Sequence, residues 1–183
     1  MKITVLGRGN VGGGLADLWE RAGHEVQRLG RDGGDAGGAD AVLIAVPSGE
    51  LPDALGKVQG LEGKTILDAT NIFQGERPDG AASLAEYVKA RTRGQVAKAF
   101  NANFASLYDR LGEAASTPSC LYCAEDAARE TTEQLIRDAG YEPVSAGGLE
   151  NARPLEDFLK LIFAVSQSGT GPFLYRIAPP DRL

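Results

Sequence analysis

The ten residues VLGRGNVGGG at positions 5–14 restrict what this chain can fold into more than any other stretch. Gly7, Gly9 and Gly12 stand in the spacing G-x-G-x-x-G, which alone fits a dinucleotide site, a kinase-type loop or a flexible turn. The flanks decide between them. KITVLG (2–7) is a β-branched run that ends in glycine. From Val11, apolar residues recur at Leu15, Leu18, Trp19 and Ala22, the spacing of an amphipathic helix. Gly23 closes that helix and HEVQRL (24–29) begins a second strand. The glycines therefore lie in a strand–turn–helix–strand unit of roughly 30 residues, the setting that marks a dinucleotide-binding turn. There Gly7 permits the sharp turn, Gly9 lets the backbone approach a pyrophosphate, and Gly12 lets the helix pack on the strand. The N–H groups at the helix start then face the phosphates.

The remainder repeats the alternation. AVLIAV (41–46) is apolar without a break, as a parallel strand buried on both faces should be. Pro47 stops it at the carboxyl edge, where ligands bind in such sheets. TILDAT (65–70) and QVAKAF (95–100) follow, with a helix predicted over SLAEYVKA (83–90) between them. SCLYCA (119–124), DAARETTEQLIRDAG (126–140) and YEPVSA (141–146) add another strand–helix–strand unit. NARPLEDFLKLIFAVSQ (151–167) sets Leu155, Phe158, Leu159, Ile162 and Phe163 on one helical face, with Asn151 as the expected N-cap. A length of 183 residues, 43% of them hydrophobic, suits one substantial core, and no repeat or linker divides it. The expectation is one doubly wound α/β domain over 1–183, with a mainly parallel Rossmann sheet and strands 2–6 and 41–46 adjacent. Residues 149–183 would form a C-terminal helical extension and tail that close the second half of the cleft.

Other function classes fit poorly. A formal charge of −6 argues against a nucleic-acid partner. No apolar stretch approaches the ~20 residues of a membrane span, and Met1 leads straight into a strand-like run with no signal-peptide pattern. A soluble, cytoplasmic protein is expected. Cys120 and Cys123 have a C-x-x-C spacing but lie in a strand-like run, and the lone His24 is far away in sequence, so no metal site is expected. The thiols read as reduced core residues and His24 as structural.

Only DGGDAGGAD (32–40) separates the second strand from the 41–46 strand, too little for the helix and strand that usually stand there. The adenosine end of the site is therefore expected to be shallow and open. An NAD-binding domain places an acid at the end of the second strand to hold the ribose 2′-OH. Here that position is Gly30, followed by Arg31. Glycine makes room and arginine offers a planar fork for a 2′-phosphate, which points to NADP(H). Arg8 is placed either to approach the same phosphate or to stack on adenine. Asp32 opposes this reading unless it points into the loop or pairs with an arginine.

The set LGRGNVGGGLA, GHEV followed by GR, AVP, LDATN, SLAE, VAKAFN and GGLENARPLEDFLKLIF, in that order, resembles the NADPH-dependent coenzyme F420 reductases, in particular their shorter bacterial relatives. The cytoplasmic reductase domain of membrane ferric reductases shares the general pattern. The resemblance implies that Gly7, Arg8, Gly9, Asn10, Val11 and Gly12 bind the pyrophosphate and adjoining ribose, with Arg31 on the 2′-phosphate. It implies that Val46 and Pro47 line the nicotinamide ribose, and that Asn71, Phe100 and Asn101 border the nicotinamide and the incoming acceptor. The sequence departs from the family in its short 32–40 segment and in Asn101, where an aromatic or histidine stands near the deazaflavin; both bear on the acceptor. Hydride transfer between two stacked rings needs positioning and no nucleophile, metal or strong acid–base pair, and no catalytic side chain is assigned. Coenzyme F420 is the implied co-substrate; a flavin, ferric chelate or quinone reductase and a non-catalytic NADPH sensor are the alternatives. The aromatic tail SQSGTGPFLYRIAPP (166–180) suits a flap over a flat heterocycle or, equally, a contact in a homodimer.

Overall fold

The computed structural model describes residues 1–73 and 75–182. The last residue of the expected tail, Leu183, lies outside the described residues. The chain runs β1 (Lys2–Leu6), α1 (Asn10–Arg21), β2 (Glu25–Leu29), β3 (Gly34–Asp35), β4 (Ala41–Ile44), α2 (Leu51–Gly56), β5 (Val58–Gln59) and β6 (Thr65–Asp68). It continues through α3 (Leu84–Thr92), β7 (Gln95–Lys98), β8 (Ser119–Ala124), α4 (Asp126–Asp138), β9 (Glu142–Ser145) and α5 (Ala152–Val165). Seven strands form one sheet in the order β2-β1-β4-β6-β7-β8-β9. Every neighbouring pair is parallel except β7–β8. The sheet is thus mainly parallel, and β1 lies beside β4 with Ile3 opposite Ala41 and Leu6 opposite Ile44.

The uninterrupted apolar runs are explained by burial on both faces. Ile3, Val5, Leu43, Leu67 and Ala97 meet α1 and α4 through Leu15, Trp19, Leu135 and Ile136. Val42, Ile44, Ile66 and Val96 project the other way and meet α2, α3 and α5 through Leu51, Leu55, Leu84, Val88 and Leu155. Alternation of side chains along a strand divides one apolar run between two cores. Trp19 is completely buried and its indole N–H donates to the Leu135 carbonyl at 2.8 Å, tying α1 to α4. His24 Nε2 meets Asp138 Oδ2 at 2.9 Å, a second link to the end of α4 and far from the strand ends that carry the cleft.

The structure corrects the reading in two places. Asn151 occupies the N-cap position of α5, but its side-chain amide donates to the Ala146 carbonyl at 2.8 Å instead of accepting from the helix. The second correction concerns 32–40. The segment supplies neither a helix nor a strand of the main sheet, yet Gly34 and Asp35 pair in parallel with Val58 and Gln59. This small ladder folds the end of α2 against the segment, so the side of the cleft expected to take the adenosine is bordered by Gly33 and Lys57.

The paired cysteines follow the same alternation. Three residues apart on a strand, Cys120 and Cys123 point to opposite faces and belong to different cores. Burial pushes the Cys120 thiol up to about 12 and the Cys123 thiol up to about 11. At pH 8 an aromatic disulfide reagent is expected to label neither thiol in the native protein and both after denaturation. Rapid labelling of the native protein would contradict this placement.

Candidate functional site

β1 and β4 are neighbours whose chains leave the sheet in opposite directions, and the cleft opens between their carboxyl ends. The turn after β1 is built by two close approaches. Gly7 has φ +109°, and a Cβ there would run into the Ala45 carbonyl after β4. A Cβ on Gly12 would overlap the Gly7 carbonyl. Gly9 differs: a Cβ there would meet nothing within 4 Å, so its backbone faces open space. It is the N-cap of α1 and carries no capping side chain, and the first turn holds no acid. The first intrahelical bond runs from Gly13 N to Gly9 O at 2.7 Å, so the N–H groups of Asn10, Val11 and Gly12 precede the ladder at the positive end of the helix.

A cavity of about 980 Å³ opens from this turn, within the range of small-molecule sites. Gly7, Arg8, Gly9, Gly30, Arg31, Val46 and Pro47 all line it, together with Asp32, Gly33, Glu50, Asp53 and Lys57. Arg8 donates from Nη2 to the Arg28 carbonyl at 2.8 Å, and its guanidinium lies over Gly30, about 3.6 Å from where a Cβ would stand. The missing side chain at Gly30 therefore makes room for Arg8. Arg31 is 88% exposed and faces Glu50 at 3.6 Å across the cavity. Asn10, Val11 and Gly12 lie outside the cavity lining; Gly12 is buried and Val11 leans on the core.

Asn71 and Asn101 are brought together, but outside this cavity, at the ends of β6 and β7. Asn71 Nδ2 donates to the Asn101 carbonyl at 2.9 Å. Asn101 Nδ2 donates to Asn71 Oδ1 at 3.2 Å and to the Leu155 carbonyl on α5 at 3.1 Å. Asn101 Oδ1 is buried and has no partner among the described residues. Phe100 departs from the expected role. Its ring is 1% exposed and packs edge-on between Trp19 (5.9 Å) and Tyr141 (6.3 Å), so it belongs to the core. What Phe100 gives the cleft is a backbone bend: φ +61° in a bulky residue costs about 1–3 kcal/mol and turns Asn101 back toward Asn71.

The tail reaches the same edge. Beyond the end of β7, Ser119 N of β8 donates to the Tyr175 carbonyl at 2.8 Å, and Ile177 N donates to Ser119 Oγ at 2.9 Å. Phe104 packs edge-on against Phe163 of α5 (5.8 Å) and Phe173 of the tail (5.5 Å). Phe73 meets Phe163 at 5.7 Å and is 69% exposed.

Beneath the asparagine pair lies a charge cluster that the sequence reading missed. Asp68 and Lys98 are register partners on β6 and β7, both fully buried, with Nζ to Oδ2 at 2.8 Å. Lys98 Nζ is also 3.3 Å from Glu156 of α5. Glu156 in turn accepts from Arg77 at 2.9 Å and from Leu84 N at 2.7 Å. Two cations and two carboxylates thus join the strand ends to α3 and α5. This cluster is sealed in the core and serves as a brace. Its signal was present: one charge inside each of the apolar runs TILDAT and QVAKAF.

No family model matches the chain, and no curated protein matches it. Solved structures do. A protein from Arthrobacter sp. FB24 put forward as an F420-dependent NADP reductase superposes with a TM-score of 0.82 at 25% identity, covering 98% of this chain and 100% of that one. Over its whole length the chain resembles that reductase. An uncharacterised protein from Sinorhizobium meliloti (TM-score 0.66, 22% identity, 85% of this chain and 89% of that one) shares the fold. So does an imine reductase from Pseudomonas sp. (0.68, 18%, 91% of this chain), of which the chain spans 62%.

Replacing one member of a buried ion cluster leaves the others unpaired, typically at a cost of about 3–5 kcal/mol. Lys98→Met is therefore expected to lower stability by roughly that amount in urea unfolding, and Lys98→Met with Asp68→Asn to recover part of it. A single variant as stable as the wild type would contradict the bracing role.

Proposed function

We propose that the protein is an NADP(H)-dependent oxidoreductase that moves a hydride between the nicotinamide and a flat heterocyclic acceptor, the deazaflavin of coenzyme F420. The observation that carries the reading is the cavity between β1 and β4. It starts at an uncapped helix N-terminus behind Gly9, suited to a pyrophosphate, and ends at Gly30 and Arg31, where an acid for a ribose 2′-OH is missing and a cation stands instead. The whole-length likeness to a protein put forward as an F420-dependent NADP reductase supports the same class. A reductive aminase of the same fold, from Aspergillus terreus, was solved with NADPH.

In this reading the chain's residues position and exclude. Gly9 and the first turn of α1 hold the pyrophosphate, Val46 and Pro47 border the nicotinamide ribose, and Asn71 and Asn101 stand at the nicotinamide. The aromatic flank of Phe73, Phe104, Phe163 and Phe173 offers ring edges and faces to a planar acceptor. When bound, NADPH would supply the hydride and leave as NADP⁺, and the acceptor would take up that hydride with a proton from solvent. Reaction requires the two ring carbons about 3–3.5 Å apart, a matter of placement.

The test is the loss of NADPH absorbance with a panel of acceptors: coenzyme F420, FMN, a quinone and a ferric chelate. Turnover is expected with the deazaflavin ahead of the others. Tight NADPH binding with no oxidation by any of them would replace the enzyme with a sensor. Arg31→Ala is expected to weaken NADPH about tenfold, the value of one exposed charge-assisted contact, and to leave NADH almost unchanged in a binding titration. Equal effects on the two cofactors would show that Arg31 does not read the 2′-phosphate.

A further inference from the structure

The adenosine end of the cavity holds a cation that no sequence motif announces. The turn from Gly30 to Gly33 is closed by Gly33 N to Gly30 O at 3.1 Å and presents Arg31 and Asp32 to the cavity. Immediately after it the backbone is pressed onto Lys57. Gly34 N donates to the Lys57 carbonyl at 3.1 Å, and a Cβ on Gly33 would overlap that carbonyl. The β3–β5 ladder continues from there, with Gly34 opposite Val58. The shortened 32–40 segment thereby carries Lys57, at the end of α2, to the same cavity that Arg31 lines.

Each cation is held by a carboxylate that also lines the cavity. Arg31 faces Glu50 at 3.6 Å, and Lys57 Nζ donates to Asp53 at 2.7 Å. The Lys57 side chain is 44% exposed and that of Asp53 71%. Exposed single pairs of this kind contribute little. A phosphate monoester, with nearly two charges and three acceptor oxygens, is a stronger partner for either cation. Arg8 is already tied to the Arg28 carbonyl. Over the whole lining Arg8, Arg31 and Lys57 balance Asp32, Glu50 and Asp53, so no net positive field draws the phosphate in. Discrimination has to come from local exchange of partners.

We propose that Lys57 and Arg31 together read the 2′-phosphate of NADP(H), and that Glu50 and Asp53 are the counter-ions they leave when it binds. This rests on the NADP(H) reading of the cavity and adds a second reader from a different element, with the carboxylates that compete for it. Gly33 is what allows that element to come so close, because a Cβ there would overlap the Lys57 carbonyl. Lys57 makes its side-chain bond at the surface, so its replacement leaves the core untouched.

The experiment is calorimetric titration of NADPH and NADH into the full chain as wild type, Lys57→Gln and Glu50→Gln, at low and moderate salt, with thermal melting as the control for folding. The wild type is expected to bind NADPH more tightly than NADH. Lys57→Gln should weaken NADPH about tenfold and change NADH less than about twofold. Glu50→Gln should tighten NADPH a few-fold at low salt, and less at moderate salt, with NADH unchanged. An equal loss for both cofactors, or none, in Lys57→Gln overturns the proposal while the wild type's preference for NADPH stands. No gain in Glu50→Gln overturns the exchange of counter-ions. A wild type without preference for NADPH overturns the reading of the cavity, and this inference with it.

Discussion

Helix α1 begins where it does because the chain carries no side chain at Gly7 and Gly12. The Gly7 carbonyl occupies the space a Cβ on Gly12 would need, and the Ala45 carbonyl occupies the space beside Gly7. That double contact pins the start of α1 against both β1 and β4. It aims the free N–H groups of the first helical turn along the crevice between the two strands. Everything proposed for the site follows from this placement. The cavity starts there, its far wall is whatever the chain folds against the end of β2, and the carboxyl edge of β6 and β7 lies outside it.

The far wall and the β6–β7 edge are built by different physics. At the wall, a two-residue parallel ladder stands where a doubly wound sheet usually has a helix and a strand. The charges beside it sit in weak surface pairs that a ligand can displace. Beneath the β6–β7 edge, the charges are sealed. Asp68, Lys98 and Glu156 are nearly or fully inaccessible and have few degrees of freedom. A brace of that kind stabilises little by itself but permits only one arrangement of α5 over the strand ends. The Leu155 carbonyl that holds Asn101 is one residue from Glu156, so the brace and the asparagine pair share a helix turn.

Much of this was legible in the sequence, because the signals were local. The β1–α1–β2 unit, the adjacency of β1 and β4, the mainly parallel sheet and the absence of an acid at Gly30 all follow from periodicity and glycine spacing. The fate of Cys120 and Cys123 follows from the strand they stand in. What could not be read depended on contacts between distant segments. Lys57 reaches the cavity only through the ladder with Gly34, and Phe100 turns its ring into the core through a strained φ. Asn151 finds Ala146 before it finds its own helix. The buried charges were signalled by Asp68 and Lys98 inside apolar runs, but their partner Glu156 lies on a helix whose amphipathic pattern hides it.

The function of the cleft turns on where a dinucleotide lies, and a crystal structure of the protein with NADP⁺ bound tests that directly. The pyrophosphate is expected against the N–H groups of Asn10 and Val11, the 2′-phosphate within hydrogen-bond distance of Arg31, and the nicotinamide beside Asn71 and Asn101. A dinucleotide bound away from the start of α1, or with its adenosine turned away from the Gly30–Gly33 turn, would contradict it.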